Sequence, residues 1–143
     1  MSEEIKKLIP HRSPFLFVDS VEINKDESIT GYRTFTPEDF FFEGHFPEYP
    51  VVPGVILVET MAQCGGAGIS KSGAIGEDKL FFLATIEKAK FRRQVRPNER
   101  VRIEVQNLRV SGTMLKQSGK AYVGDELAAE ASWMCMVGSS DNL

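Results

Sequence analysis

The 143 residues are 42% apolar and 26% charged, and 17 basic against 20 acidic side chains give a net charge of −3. That length builds one sizeable core and not two, so one domain over residues 1–143 is expected. The acidic balance excludes an overall electrostatic attraction to nucleic acid or to an anionic membrane surface.

MSEEIKKLIP carries acids where a secretory leader is basic, and no segment approaches the roughly 20 apolar residues needed to cross a bilayer. A cytoplasmic protein without membrane insertion is therefore expected. Ser2 to Leu8 predicts one or two helical turns with Ser2 as cap, stopped by Pro10 and Pro14. Phe15, Phe17, Val21 and Ile23 then read as a strand. Asn24 to Glu27 is a turn cluster, and Ser28 to Phe35 is a returning strand that completes a hairpin.

Gly44 to Gln63, GHFPEYPVVPGVILVETMAQ, changes character halfway. Pro53 suits the first turn of a helix that continues through Val55, Ile56, Leu57, Val58, Met61 and Ala62. A helix apolar on nearly every side is a buried one. Gly65, Gly66 and Gly68 allow close backbone approach before the helix ends near Gly73.

Beyond it the pattern is sheet. Ala89 and Phe91 alternate with Lys88, Lys90 and Arg92; Val101, Ile103 and Val105 alternate with Arg102, Glu104 and Gln106. Leu127, Ala129, Ala131 and Trp133 alternate with Ala128, Glu130, Ser132 and Met134, and turns fall at Pro97-Asn98, Ser111-Gly112 and Gly124-Asp125. The sum is α+β, with one central helix wrapped by an antiparallel sheet. A sheet curved around one helix leaves helix surface uncovered, which predicts a dimer.

Within the apolar helix stands one carboxylate, Glu59. Burying a carboxylate costs several kcal/mol unless partners satisfy it, which favours a protonated, proton-donating form. Gln63 lies one turn further along the same helix face, where its amide can orient that acid. His45 sits among Gly44, Phe46, Pro47, Pro50 and Pro53, a rigid setting for a group that titrates near neutrality. The Gly54 amide at the helix start is an unpaired donor suited to a developing oxyanion. Base, acid and oxyanion donor together suit abstraction of a proton beside a carbonyl coupled to loss of hydroxyl, that is, elimination of water. On residue types alone, a hydrogen-bonded surface histidine in the loop and a solvent-facing glutamate on the helix are the commoner meanings of these two residues. Cys64 and Cys135 lie in apolar sequence without metal-ligand spacing and read as free buried thiols without a role.

The same residues carry a resemblance over nearly the whole chain. Leu8-Ile9-Pro10-His11-Arg12 with Pro14-Phe15-Leu16 and Val18-Asp19, Gly44-His45-Phe46-Pro47 with Pro50 and Pro53-Gly54-Val55, Glu59 with Met61-Ala62-Gln63, and Ile86 to Arg92 with Val95 and Pro97 form the match. In that order they resemble the FabZ-type β-hydroxyacyl-acyl-carrier-protein dehydratases of type II fatty acid synthesis, enzymes of the hot dog fold. The resemblance implies dehydration of a (3R)-hydroxyacyl thioester on acyl carrier protein to the trans-2-enoyl thioester. His45 is then the base at the α carbon, Glu59 the acid at the hydroxyl, Gly54 the carbonyl-binding amide and Gln63 the group that steadies the acid. It also implies sites at a homodimer interface, with His45 and Glu59 from different subunits, in dimers of a kind that often assemble as hexamers; with His11 and His45 the only histidines and no close ligand spacing, no metal site is expected, and the chemistry needs no organic cofactor. His11 matches a family histidine that is not catalytic and is read as structural. Phe81-Phe82 stands where relatives carry a tyrosine near the acyl tunnel mouth, which makes Phe82 a substrate-binding candidate. The basic run Lys88, Lys90, Arg92 and Arg93 is either a solvated strand face or the docking surface for an acidic carrier protein. A hot dog thioesterase and a non-catalytic acyl-binding module stay open as alternatives.

Overall fold

The computed structural model describes residues 2–76 and 79–139. Helix α1 (Ser2–Leu8) leads to a hairpin of β1 (Ser20–Ile23) and β2 (Ile29–Thr34), then a 3-10 turn, Phe40–Glu43. The long helix α2 (Gly54–Ser72) follows, and then β3 (Lys79–Phe91), β4 (Arg100–Val110), β5 (Met114–Val123) and β6 (Glu126–Ser139). The six strands form one sheet in the order β1-β2-β4-β5-β6-β3, antiparallel throughout. Helix α2 packs against all six strands. One helix wrapped by one antiparallel sheet is the hot dog fold expected from the sequence.

The helix forms where its residues bury on most sides. Met61, Cys64 and Ala67 are fully buried against Val101, Ile103 and Val105 of β4 and Trp133 of β6, each large side chain contributing roughly 1.5–3 kcal/mol. The glycines let the sheet come close: a Cβ at Gly68 would lie 2.5 Å from Ile29 Cδ1. At its end Gly73 takes a left-handed φ of 80°, which an L side chain resists, and the chain turns away toward β3.

Four expectations need correction. Residues Phe15 to Asp19 do not join β1, because the backbone there is satisfied by a side chain instead of a strand: Phe17 N–H donates to Gln63 Oε1 at 2.8 Å and Phe15 O accepts from Gln63 Nε2 at 3.0 Å. Pro53 precedes the helix as its N-cap, with ψ 139°, and the helix starts at Gly54. Ala128 is fully buried although alternation put it with the polar residues, because a bulge between Ala121↔Ala129 and Tyr122↔Leu127 inserts it into the register. Finally, the apolar residues of β3 from Phe82 onward are exposed, since β3 is the last strand of the sheet: Phe82 is 45% exposed, Ile86 48% and Phe91 53%. The cap expected of Ser2 concerns a side chain outside the described ones.

Candidate active site

The loop between the 3-10 turn and α2 is fastened at several points. His45 N–H donates to Phe41 O at 3.1 Å, Tyr49 N–H to Phe46 O at 2.8 Å, and Val52 N–H to Val95 O at 2.8 Å. Phe46 adopts a φ of 52°, which reverses the chain beside His45. Tyr49 is held from outside by the Arg96 guanidinium, 4.0 Å over its ring, and by a hydrogen bond to Gln94. His45 is thereby aimed, and its Nδ1 lies 3.0 Å from Val51 O. A carbonyl oxygen only accepts, so Nδ1 of the neutral ring carries the proton. Nε2 is left with a lone pair, the form required of a general base.

That ring lines an apolar cavity of about 530 Å³ shared with Gly54, Val55, Leu57, Phe91, Arg92 and Arg93. No side chain caps the start of α2 there, so its first amides keep their donor capacity and the positive end of the helix dipole. Gly54 has a packing reason as well: a Cβ would stand 2.9 Å from the Phe91 ring. Histidine, helix start and aromatic wall thus share one chamber.

Glu59 does not share it. Five residues of α-helix rotate a side chain by about 140° from the starting direction, so Glu59 projects from nearly the opposite side of α2 to Gly54. It lines a second cavity, about 250 Å³, with His11, Phe15, Gln63, Phe81, Phe82, Leu83 and Cys135. None of the residues around the first cavity lines the second. Gln63, only 2% exposed, donates from Nε2 to Glu59 Oε2 at 3.0 Å while the same amide pins Phe15 and Phe17. The expected orienting partner is in place. The acid is not sealed in apolar surroundings as anticipated: its side chain is 21% exposed, and His11 Nε2 lies 3.6 Å from Oε2.

His11 is the site neighbour that sequence reasoning left as structural. The signal lay in IPHRSPF, a histidine between prolines and aromatics, but its proximity to Glu59 arises from a 48-residue separation that no local pattern encodes. Burial pushes its pKa down, Glu59 pushes it up and Arg12 down again. Both cysteines are buried, and burial raises the Cys64 thiol to about 12 and Cys135 to about 11, so neither is a nucleophile.

The basic run divides. Arg92 donates to Glu130 at 2.9 Å, and Arg93 forms a paired contact with Glu99 and a further one with Glu126. Both also border the His45 cavity. Lys88 bends out at a bulge with φ 54°. It lines an outer groove with Glu130, and Lys90 lies opposite Glu130 in the sheet register. Neither lysine makes an ion pair among the described residues.

The family model for FabA-like domains matches residues 9–132. The chain belongs to the FabA-like family. The matched stretch takes in His11, His45, Gly54, Glu59, Gln63, Phe82 and the basic run from Lys88 to Arg93. Within the family it is 45% identical over 135 residues to the 3-hydroxyacyl-[acyl-carrier-protein] dehydratase FabZ of Desulforamulus reducens, covering 94% of each chain. It is 39% identical to the protein of the same name from Clostridium kluyveri, over 97% of this chain and 96% of that one. Among solved structures, a chain of the dehydratase heterocomplex ApeI:P from Xenorhabdus doucetiae superposes with a TM-score of 0.82 at 13% identity, covering 96% of this chain and 92% of that one. The conserved protein PA5202 of Pseudomonas aeruginosa superposes with a TM-score of 0.67 at 19% identity, over 93% and 98%. At such low identity these two show the shared fold. Among the described residues, no helix is long and apolar enough to cross a membrane.

Proposed function

We propose that this chain removes water from a 3-hydroxyacyl thioester held on acyl carrier protein, giving the trans-2-enoyl thioester in fatty acid elongation. The name shared by its FabA-like relatives supports the substrate and the reaction. One observation carries the mechanism: a histidine whose Nδ1 is committed to a backbone carbonyl stands in an apolar cavity beside an uncapped helix start. His45 Nε2 takes the α-proton. The Gly54 amide receives the charge that develops on the thioester oxygen. Glu59, in its protonated form, gives its proton to the leaving hydroxyl, which departs as water, and Phe82 walls the channel for the acyl chain. The proton on His45 then returns to Glu59. Base, acid and oxyanion donor all come from the protein in this reading, so every proton and charge in the step has a named partner among its own residues.

Two half-sites that face away from each other need a second copy. Strand β3 is an unpaired edge rich in exposed apolar side chains, the kind of edge that another strand covers. Phe82 belongs to the Glu59 cavity and Phe91 to the His45 cavity, about 30 Å apart along the strand. If two copies pair their β3 edges antiparallel about a two-fold axis near Ile86 and Glu87, Phe82 of one falls opposite Phe91 of the other. His45 of one chain then works with Glu59 of its partner. In this reading the unit is a homodimer, three of which form a hexamer, located in the cytoplasm. Lys88 and Lys90, with Arg92 and Arg93 nearer the cavity, receive the acidic carrier protein.

Purified protein supplied with 3-hydroxyacyl or trans-2-enoyl carrier protein tests the assignment. Change in enoyl absorbance without release of thiol is expected. Release of thiol instead makes the protein a thioesterase, and binding without turnover makes it an acyl-binding module.

A further inference from the structure

His11 lies just beyond α1, and its loop is built, not loose. Arg12 folds back to donate to Ile9 O at 3.0 Å, His11 O at 2.7 Å and Lys6 O at 3.1 Å, which staples the loop to the end of the helix. The ring enters the Glu59 cavity with Nε2 toward Oε2, the oxygen that also accepts from Gln63. Its Nδ1 is buried and has no hydrogen-bond partner among the described residues. That orphan decides which form of the ring is useful. In the imidazolium both nitrogens are donors, and the buried Nδ1–H would be left without an acceptor, which disfavours that form. In the neutral ring with its proton on Nε2, the donor points at the acid and Nδ1 holds only a lone pair.

We propose that His11 is a positioning residue for the acid: together with Gln63 it holds Glu59 by Oε2, so that Oε1 carries the proton presented to the leaving hydroxyl. This rests on Glu59 being the acid of the dehydration. An oxygen that accepts from two N–H groups acts as the carbonyl oxygen of the protonated carboxyl, which puts the transferable proton on the other oxygen. The 3.6 Å separation is longer than a hydrogen bond, and contacts of this kind shorten when substrate fills the site.

Burial, with a smaller contribution from Arg12, keeps the ring neutral near pH 7 against the pull of Glu59. Glu59 faces it from α2, Arg12 adjoins it in its own loop, and from β6 comes the Cys135 thiol, held neutral by a pKa of about 11. Strand β3 contributes Phe81, Phe82 and Leu83, which do not titrate. Burial outweighs the pull of Glu59, so the ring protonates only below its ordinary 6.5. A charge formed there adds a buried donor at Nδ1 that finds no acceptor, which disturbs the ring's hold on Oε2. Part of the acid limb of the rate profile therefore belongs to His11.

The test uses the full chain with its carrier substrate. His11→Leu is expected to lower kcat about tenfold while KM stays within about twofold. His11→Gln, whose amide also donates but does not titrate, is expected to recover most of that loss and to move the acid limb to lower pH. Equal kcat in His11→Gln and His11→Leu, or an unchanged profile in both, overturns the proposal. Should His11→Leu fail to fold, the tautomer of the His11 ring in the unaltered protein decides, read from its imidazole nitrogen NMR shifts: a proton on Nε2 supports the contact, and a proton on Nδ1 overturns it. A Glu59→Gln protein that still dehydrates would instead remove the assignment of the acid, leaving the His11 tautomer to be judged separately.

Discussion

The two halves of the site are built by opposite means. The His45 half hangs on backbone: a proline-rich loop, a carbonyl at Val51 that fixes the tautomer, and a helix start at Gly54. The Glu59 half hangs on side chains: Gln63 and His11 meet one carboxyl oxygen, and Gln63 ties that cluster to the backbone of Phe15 and Phe17. A base must keep a lone pair free, which a single backbone acceptor ensures. An acid must keep one particular oxygen protonated, which takes several donors on the other. The first half is therefore tolerant of change around it, and the second is a network that fails as a unit.

The largest effect comes from removing the reactive groups. His45→Ala should lower kcat by about 10²–10⁴-fold with little loss of folding stability, read by enoyl absorbance beside a thermal melt. Gln63→Leu breaks the network half: it leaves the Phe17 N–H unpaired in a buried place and the Phe15 carbonyl without its partner. It should cost about 1–3 kcal/mol in a urea unfolding experiment as well as most of the activity. If His45→Ala proves the more destabilising of the two, the contrast between the halves is wrong.

The pH dependence of folding sharpens the same contrast. Burial lowers the pKa of folded His11 below its ordinary 6.5, so the unfolded chain binds a proton there before the folded one does. Stability is therefore complete above about pH 6.5 and is lost as pH falls through that value. Glu99 acts in a separate, lower window. Arg93 holds its carboxyl below the ordinary 4.5, so its contribution is present above that pH and lost as pH falls further. His11→Phe should erase the upper loss and leave the lower one, measured as the urea midpoint against pH. The smallest effect lies outside both halves: Lys88→Glu with Lys90→Glu should raise KM for the carrier-bound substrate a few-fold, more at low salt, while a short pantetheine thioester is unaffected.

Much of this was legible in the chain because it rests on local pattern. The apolar run from Val55, the alternation of Val101, Ile103 and Val105, and the one-turn spacing of Glu59 and Gln63 each appear as predicted. What the chain hid depends on partners far away in sequence. Phe15 and Phe17 look like strand residues, yet their backbone is satisfied by the Gln63 side chain. Ala128 looks polar-facing until a bulge in the β5/β6 pairing turns it inward. The exposure of Phe91 follows from β3 being the edge strand, a fact of topology that its own alternation cannot carry. His11 belongs with these, since only the folded chain brings it to Glu59.

The central claim is that the working pair spans two copies, and mixing two dead variants tests it. His45→Ala and Glu59→Ala proteins, each inactive alone, are unfolded together, refolded and assayed. A mixed dimer holds one site with both residues intact and one with neither. With random pairing about half the dimers are mixed, so about a quarter of wild-type activity should return. No activity above that of the separate variants would mean that His45 and Glu59 do not act across subunits.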